Sequence, residues 1–137
     1  MTLADVMTPH PIAVRAAASV RDALEELEGG TIRHLPVVDE GLVVGMLSDR
    51  DLRPWRNALQ AVREGAEGAA EEVLARPVRA FMRTDVLCLD VSRPIVDAID
   101  VMLDFKVGAV PVVDNDRLVG IVSYVDLLEL LKTELSG

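Results

Sequence analysis

Pro36-Val37-Val38-Asp39 and Gly45-Met46-Leu47-Ser48-Asp49-Arg50-Asp51-Leu52 form a stretch that the chain contains twice. The second copy reads Pro111-Val112-Val113-Asp114 and Gly120-Ile121-Val122-Ser123-Tyr124-Val125-Asp126-Leu127. The offset is 75 residues throughout, and it relates residues 7–52 to residues 82–127 without a gap. A unit this short cannot bury its apolar face alone, so the copies are expected to share one core. We therefore expect two repeats packed about a pseudo-twofold axis, with paired clefts that carry the function.

Each copy has the pattern of a β-α-β-β-α unit. In repeat one, residues 12–14 and 34–38 are strand candidates, and Ser19 begins a helix with Asp22 placed for a capping box. Residues 39–41 form a hairpin turn. Residues 42–47 are almost uniformly apolar, which predicts a strand buried on both faces, and Ser48 begins a second helix. Repeat two gives the matching elements: strands at 87–89, 109–113 and 118–122, a helix over 94–103 with Pro94 in its first turn, and a helix from Tyr124. The fold class is therefore mixed α and β, with small sheets covered by helices.

Three segments make up this one compact module: repeat one over residues 1–60, a connecting segment over 61–77 and repeat two over 78–137. Residues 53–77 are rich in Ala, Glu and Arg, which predicts helix that weakens at Gly65 and Gly68. The C-terminal stretch carries a dense row of leucines, Leu127, Leu128, Leu130, Leu131 and Leu135. Either the core or a partner protein could cover that row.

Composition excludes several function classes. The net charge of −9 argues against a nucleic-acid surface, which needs a basic field. No apolar run approaches the roughly 20 residues that span a bilayer, and the first residues lack the pattern of a secretory leader. Cys88 is the single cysteine, and the two histidines show no metal-ligand spacing. No nucleophile–base pair is visible. We expect a cytoplasmic protein that holds no metal, catalyses no reaction and binds neither nucleic acid nor membrane.

The repeated unit resembles the CBS domain, named after cystathionine β-synthase, and a tandem pair of these is called a Bateman module. The resemblance lies in the Pro-Val-Val-Asp strand end and in the Gly-x-x-Ser-x-x-Asp-Leu junction between strand and helix, both present twice in the same order. It covers almost the whole chain, which therefore resembles a stand-alone CBS pair. The resemblance implies a regulatory module that binds AMP, ADP, ATP or S-adenosylmethionine. It also implies a homodimer in the form of a flat disc of four CBS units.

The residues themselves favour a ligand of this type. Ser48 and Ser123 each follow a buried strand at a helix N-terminus, where free N–H groups favour an anion such as phosphate. Asp51 and Asp126 lie one turn later, and a carboxylate can accept hydrogen bonds from both hydroxyls of a ribose. The alternative is plain helix capping by Ser with Asp at the third position.

Carried over by position, the resemblance implies two sites. Site A would consist of Ser48, Asp51, Arg50, Arg33 and His34, with an adenine slot near Val86, Val107 and Gly108. Site B would consist of Ser123 and Asp126, with a slot near Ile12, Ile32 and Arg33.

The two sites differ in charge. Repeat two has Gly108, Ala109 and Val125 where repeat one has Arg33, His34 and Arg50. Site A is therefore expected to hold a phosphorylated adenosine, and site B to be empty or to hold a less anionic ligand such as S-adenosylmethionine. The alternative is that Arg33 and Arg50 are solvated surface charges, paired with Asp49 or Glu40.

Two functions compete. The first is a nucleotide sensor whose occupancy a regulated protein partner detects. The second is a dimerisation or interaction scaffold with vestigial ligand sites, which the acidic charge and the C-terminal leucines would suit.

Overall fold

The computed structural model describes all 137 residues, Met1–Gly137. It confirms a mixed α and β fold. In chain order the elements are α1 (Leu3–Val6), β1 (Thr8–Pro9), β2 (Val14–Arg15), α2 (Val20–Leu27), β3 (His34–Asp39), β4 (Leu42–Ser48), α3 (Asp49–Leu52), α4 (Arg56–Arg63), α5 (Ala69–Ala75), β5 (Leu89–Asp90), α6 (Ile95–Phe105), β6 (Ala109–Asp114), β7 (Arg117–Ser123) and α7 (Tyr124–Ser136), with single 3-10 turns at Arg53–Trp55 and Val78–Ala80.

The elements group into two compact units. The repeat-one unit comprises Ile12–Glu40 and Val44–Asp85, and the repeat-two unit comprises Met1–Pro11, Gly41–Val43 and Val86–Gly137. Residues 1–11 therefore fold with repeat two, although they precede repeat one in the chain. The connecting segment folds with repeat one. Local sequence patterns do not contain this information, because it depends on pairing between distant residues.

The repeat-one unit is built on strands β2, β3 and the buried half of β4. β2 runs parallel to β3, with Val14 opposite Val37. Ser19 is the N-cap residue of α2, and its side chain accepts a hydrogen bond from the backbone N–H of Asp22 at 3.1 Å. The Ser19 N–H donates one to Asp22 Oδ2 at 3.3 Å, so the predicted capping box is confirmed. The buried face of α2 packs with both strands into one cluster, which consists of Val14, Val20, Ala23, Leu24, Leu27, Leu35, Val37, Leu47, Leu52, Leu59, Leu74 and Val78.

A helical hairpin covers the outer side of α2. The connecting segment forms α4 and α5, and the backbone between them has positive φ at Gly65 and Gly68. The expected weakening at these glycines is thus a complete break in the helix. The hairpin contributes Leu59 and Leu74 to the cluster, and Trp55 meets Phe81 edge to face with ring centroids 5.8 Å apart. This packing explains why α2 buries four apolar side chains.

The repeat-two unit has the same plan with a thinner core. β5 runs parallel to β6, β6 and β7 are antiparallel, and β1 adds to β7 with Thr8 opposite Ile121. The fully buried cluster contains only Leu3, Ala98, Val112 and Val122, with partly buried side chains around it. Leu59 and Leu74 of the helical hairpin belong to the repeat-one cluster, and α4 and α5 contribute no residue to the repeat-two cluster.

Three local expectations were wrong. β4 is not buried on both faces along its length, because Leu42 is 43% exposed and Val44 is 36% exposed, and burial begins at Gly45. The short first strands start later than expected, at Val14 and Leu89, and Leu87 is exposed. Pro94 precedes α6 as its N-cap residue instead of lying in its first turn.

None of the helices combines the length and hydropathy required to cross a bilayer.

Candidate functional site

Both predicted Ser–Asp pairs form capping boxes. The Ser48 side chain accepts a hydrogen bond from the Asp51 backbone N–H at 3.0 Å, and Asp51 Oδ2 accepts one from the Ser48 backbone N–H at 3.0 Å. The corresponding distances for Ser123 and Asp126 are 3.3 Å and 2.8 Å. The capping interpretation is thus confirmed in both repeats. It is compatible with ligand binding, because each box occupies Oδ2 and leaves Oδ1 of the same part-buried carboxylate available.

The backbone before β3 is tied to the start of α3. The Asp49 N–H donates a hydrogen bond to the Arg33 carbonyl oxygen at 2.7 Å, and the Tyr124 N–H donates the equivalent bond to the Gly108 carbonyl at 3.1 Å. Each bond places the residue that immediately precedes β3 or β6 beside the capped N-terminus of the helix. In the repeat-one unit this brings Arg33 and His34 to Ser48 and Asp51.

His34 is the titratable group at this position with a perturbed pKa. Burial of the half-buried imidazole lowers its pKa below the ordinary value, the Asp51 carboxylate opposes that shift, and the Arg33 guanidinium adds to it. His34 is therefore a neutral hydrogen-bonding group at neutral pH, and Arg33 supplies the permanent positive charge beside it. His34 therefore lies close enough to Asp51 and to Arg33 for both charges to affect its pKa.

Arg33 and Arg50 are exposed and form no ion pair. The alternative interpretation is right about their exposure and wrong about a pairing with Asp49, because Asp49 interacts with Arg56 and, at 3.9 Å, with Arg53. The role of Arg53 and Arg56 was missed in the sequence because both lie beyond the repeated junction, although their spacing of four and seven residues from Asp49 on a helical segment is a usable signal. Their pairing leaves Arg33 and Arg50 as the uncompensated cations near the capped terminus.

The expected slot residues belong to the opposite units. Val86, Val107 and Gly108 lie in the repeat-two unit, where both valines are half-buried. Ile12 and Ile32 lie in the repeat-one unit, with Ile12 49% exposed. Ser123 and Asp126 are fixed by their own box, beside the Gly108 carbonyl. The roles of all these residues toward a ligand stay predictions.

A family model of the CBS domain matches residues 3–56 and residues 78–133. The chain belongs to the CBS-domain family. Both matches include a capped strand-to-helix junction, so the sequence repeat corresponds to a tandem CBS pair. The assignment explains why the same hydrogen bonds recur at a fixed offset in both repeats.

Relatives of similar length support this assignment. A CBS domain-containing protein of Dictyostelium discoideum is 35% identical over 111 residues, which cover 80% of this chain and 76% of the relative. Two solved CBS structures share the fold at a TM-score of 0.76 each. CBSX2 in complex with AMP is 30% identical and the match covers 96% of each chain. The CBS domain pair of MJ0100, in complex with 5-methylthioadenosine and S-adenosyl-L-methionine, is 25% identical and the match covers 98% of each chain.

Proposed function

We propose that this CBS pair is a regulatory module that binds adenosine-containing ligands without catalysing a reaction. The observation that carries the proposal is the Ser48–Asp51 capping box, which fixes a carboxylate beside Arg33 and His34. The AMP and S-adenosylmethionine complexes of similar CBS pairs support the ligand class.

Site A suits a phosphorylated adenosine such as AMP, ADP or ATP. Asp51 Oδ2 is held by the Ser48 backbone, so Oδ1 is oriented without further loss of side-chain entropy and can accept hydrogen bonds from the ribose hydroxyls. The exposed Arg33 and Arg50 guanidinium groups can neutralise the phosphate, and Arg presents the planar fork that phosphate oxygens match.

Site B suits a ligand with less negative charge. Ser123 and Asp126 repeat the ribose-binding geometry, but Gly108, Ala109 and Val125 replace the three basic residues of repeat one. Repeat two supplies no cation at these three positions, so a phosphate beside Asp126 would lie near a carboxylate in a chain that is already strongly negative. S-adenosylmethionine and 5-methylthioadenosine keep the ribose and lack phosphate, so they are the expected class.

Regulation then follows from differential affinity. A ligand shifts the chain between conformations only by the difference in its binding free energy to each of them. A protein partner that recognises one conformation would report the concentration of the ligand. Because the proposed site supplies binding groups and no reacting group, the ligand leaves unchanged.

The decisive experiment is a thermal-unfolding panel with AMP, ADP, ATP, S-adenosylmethionine and 5-methylthioadenosine. Wild type is compared with the variants Asp51→Asn, Asp126→Asn and Arg33→Gly, all freed of bound nucleotide. Arg33→Gly introduces the residue that repeat two has at this position. Each shift is measured against the ligand-free Tm of the same variant, because the Asp variants also weaken a helix cap. A ligand at about 100 times its Kd adds roughly 2.7 kcal/mol of stability, which raises Tm by several degrees in a chain of this size.

We expect Asp51→Asn and Arg33→Gly to remove the AMP shift, and Asp126→Asn to preserve it. Arg21→Ala, an exposed arginine on α2 outside the site, is the matched control and should behave as wild type. Chromatography of the ligand after incubation should return it unchanged. If no ligand shifts Tm, the sensor proposal is wrong and the scaffold function takes its place.

A further inference from the structure

Three arginines without ion pairs lie within one short stretch of the repeat-one unit. Residues 73–84 contain Arg76, Arg79 and Arg83 and no acidic residue, although the whole chain has 23 acids against 14 bases. All three arginines are exposed, and none of them forms an ion pair. This stretch is therefore a local basic surface on a strongly acidic chain.

Two aromatic side chains accompany these arginines. The guanidinium carbon of Arg76 lies 6.0 Å from the centre of the Phe81 ring, which is the range of a cation–π contact. Phe81 in turn contacts the Trp55 ring edge to face, and both rings are half-buried. A guanidinium over a ring keeps the N–H groups at its edge free to bind a carboxylate. We call this group the arginine–aromatic surface, and its members are Trp55, Arg76, Arg79, Phe81 and Arg83.

The backbone that carries this surface is copied in repeat two. The Met82 N–H donates a hydrogen bond to the Val78 carbonyl oxygen at 2.9 Å. At the offset of 75, the Met7 N–H donates the equivalent bond to the Leu3 carbonyl oxygen, also at 2.9 Å. Val78 and Leu3 are both completely buried. The turn before each repeat is therefore part of the shared fold.

The side chains on the two turns differ in charge. Repeat two has no cation and no aromatic ring at the positions that correspond to Arg79, Phe81, Arg83 and Trp55, where it has Ala4, Val6, Thr8 and Leu130. It also has an acid, Asp5, where repeat one has Ala80. Because the same turn forms with these residues, the fold requires neither the arginines nor the aromatic pair. Both are available for a contact outside the chain.

We propose that the arginine–aromatic surface binds an acidic segment of a partner protein, rich in Asp and Glu and with apolar side chains between the acids. The carboxylates of the segment accept hydrogen bonds from the guanidinium groups, whose planar fork matches a carboxylate. An apolar side chain of the segment lies against Phe81 and Trp55. The contact uses none of the residues assigned to sites A and B, so it is independent of the proposed adenosine binding.

The charge around the surface favours a short acidic segment over a nucleic acid. Glu72 and Asp85 are the nearest acids on either side of the stretch, and both are exposed. A nucleic-acid strand carries a phosphate at every nucleotide, so it would meet these acids on leaving the surface of a chain with a net charge of −9. A protein segment can end its acidic run where the arginines end.

The test uses the fluorescence of Trp55, the only tryptophan in the chain. Nucleotide-free wild type is titrated with a blocked peptide of repeated Glu-Asp-Leu, and separately with the neutral peptide of repeated Gln-Asn-Leu. We expect the acidic peptide to shift the Trp55 emission in a saturable way and to protect it from quenching by acrylamide. The neutral peptide should do neither. Single-stranded oligothymidylate, titrated in the same way, should bind more weakly than the acidic peptide.

Two double variants with the same change in net charge locate the contact. Arg76→Gln/Arg79→Ala removes two arginines of the surface and should raise the Kd of the acidic peptide about tenfold or more, because charge-assisted hydrogen bonds are lost. Arg21→Gln/Arg93→Ala is the matched control. It removes two exposed arginines outside the surface and should keep the wild-type Kd. Thermal unfolding without peptide checks that both variants fold.

Several results would overturn the proposal. They are an absence of saturable change in Trp55 with the acidic peptide, equal binding of the neutral peptide, and an equal loss of affinity in the control variant. Tighter binding of oligothymidylate would assign the surface to nucleic acid, and a Trp55 emission that depends on protein concentration alone would assign it to a second copy. If the surface variant does not fold, the two peptides still decide on wild type, because they differ only in charge.

Discussion

The two repeats share a backbone plan and differ in what they place on it. Both have a Ser–Asp capping box at the end of β4 or β7, and in both the N–H of the first helical residue donates a hydrogen bond to the carbonyl of the residue that precedes β3 or β6. Repeat one adds cations near its box and covers its helices with α4 and α5. Repeat two has lost the cations and leaves its helices uncovered. This difference in charge is the reason why anion binding is proposed for repeat one and not for repeat two.

The largest expected difference concerns the leucine that follows each capping box. Leu52 is completely buried in the large cluster, whereas its counterpart Leu127 is only partly buried beside the small one. Leu52→Ala should cost about 2–5 kcal/mol of unfolding free energy, because it leaves a cavity in a covered core. Leu127→Ala should cost clearly less. Urea unfolding of both variants measures the difference, and equal costs would show that the two cores are equally packed.

A smaller effect is expected at the glycine that meets a methionine in each repeat. A Cβ at Gly45 would lie 2.5 Å from Met82 Sδ and 2.9 Å from the Arg83 carbonyl oxygen, whereas the three atoms nearest to one at Gly120 all belong to the Met7 side chain. The Arg83 carbonyl cannot move away easily, because it accepts a hydrogen bond from the Met46 N–H at 3.0 Å. Met7 can change rotamer. Gly45→Ala should therefore cost roughly 1–3 kcal/mol, and Gly120→Ala should cost less.

Thermal unfolding of the two Gly→Ala variants, with Gly29→Ala as control, checks this order. Gly29 has negative φ and open space around its Cα, so its variant should be close to neutral. A larger loss at Gly120 than at Gly45 would contradict the argument from the backbone contact.

The sequence predicted the parts of the fold that depend on neighbours in the chain. The Ser19, Ser48 and Ser123 caps follow from local chemistry, and the hairpin turn at residues 39–41 was expected from the turn residues there, which include Gly41. The grouping of Met1–Pro11 with repeat two could not be predicted, because β1 pairs with residues more than a hundred positions away.

The same limit applied to exposure and to charge pairing. The apolar run of β4 predicted burial, yet Leu42 and Val44 are exposed, because hydrophobicity alone does not say which strand faces are covered. The covering of α2 by Leu59 and Leu74 depends on how the connecting helices fold back. For the candidate site, residue types and positions were predictable from the repeat. The partners of Asp49 lie at helical spacing from it, but only the structure shows that they pair with it.

The smallest predicted effect is a pH dependence that repeat one has and repeat two lacks, since Ala109 replaces His34. Burial lowers the pKa of His34 in the folded chain. As pH falls through the ordinary histidine range near 6.5, the unfolded chain therefore takes up the proton first. The unfolded state then binds more protons than the folded state, so stability rises with pH in this range. This contribution is complete above the unfolded pKa and is lost as pH falls toward the folded pKa.

Urea midpoints from about pH 7.5 to about pH 5.5, above the range in which exposed carboxylates titrate, measure this dependence. Wild type should lose stability on acidification, and His34→Ala should show a shallower slope whatever its absolute stability. His10→Asn removes the other histidine of the chain, and its slope is compared with that of His34→Ala. A His34→Ala slope equal to that of wild type would assign the dependence to other groups. In that case the burial of His34 beside Asp51 would not distinguish the two repeats.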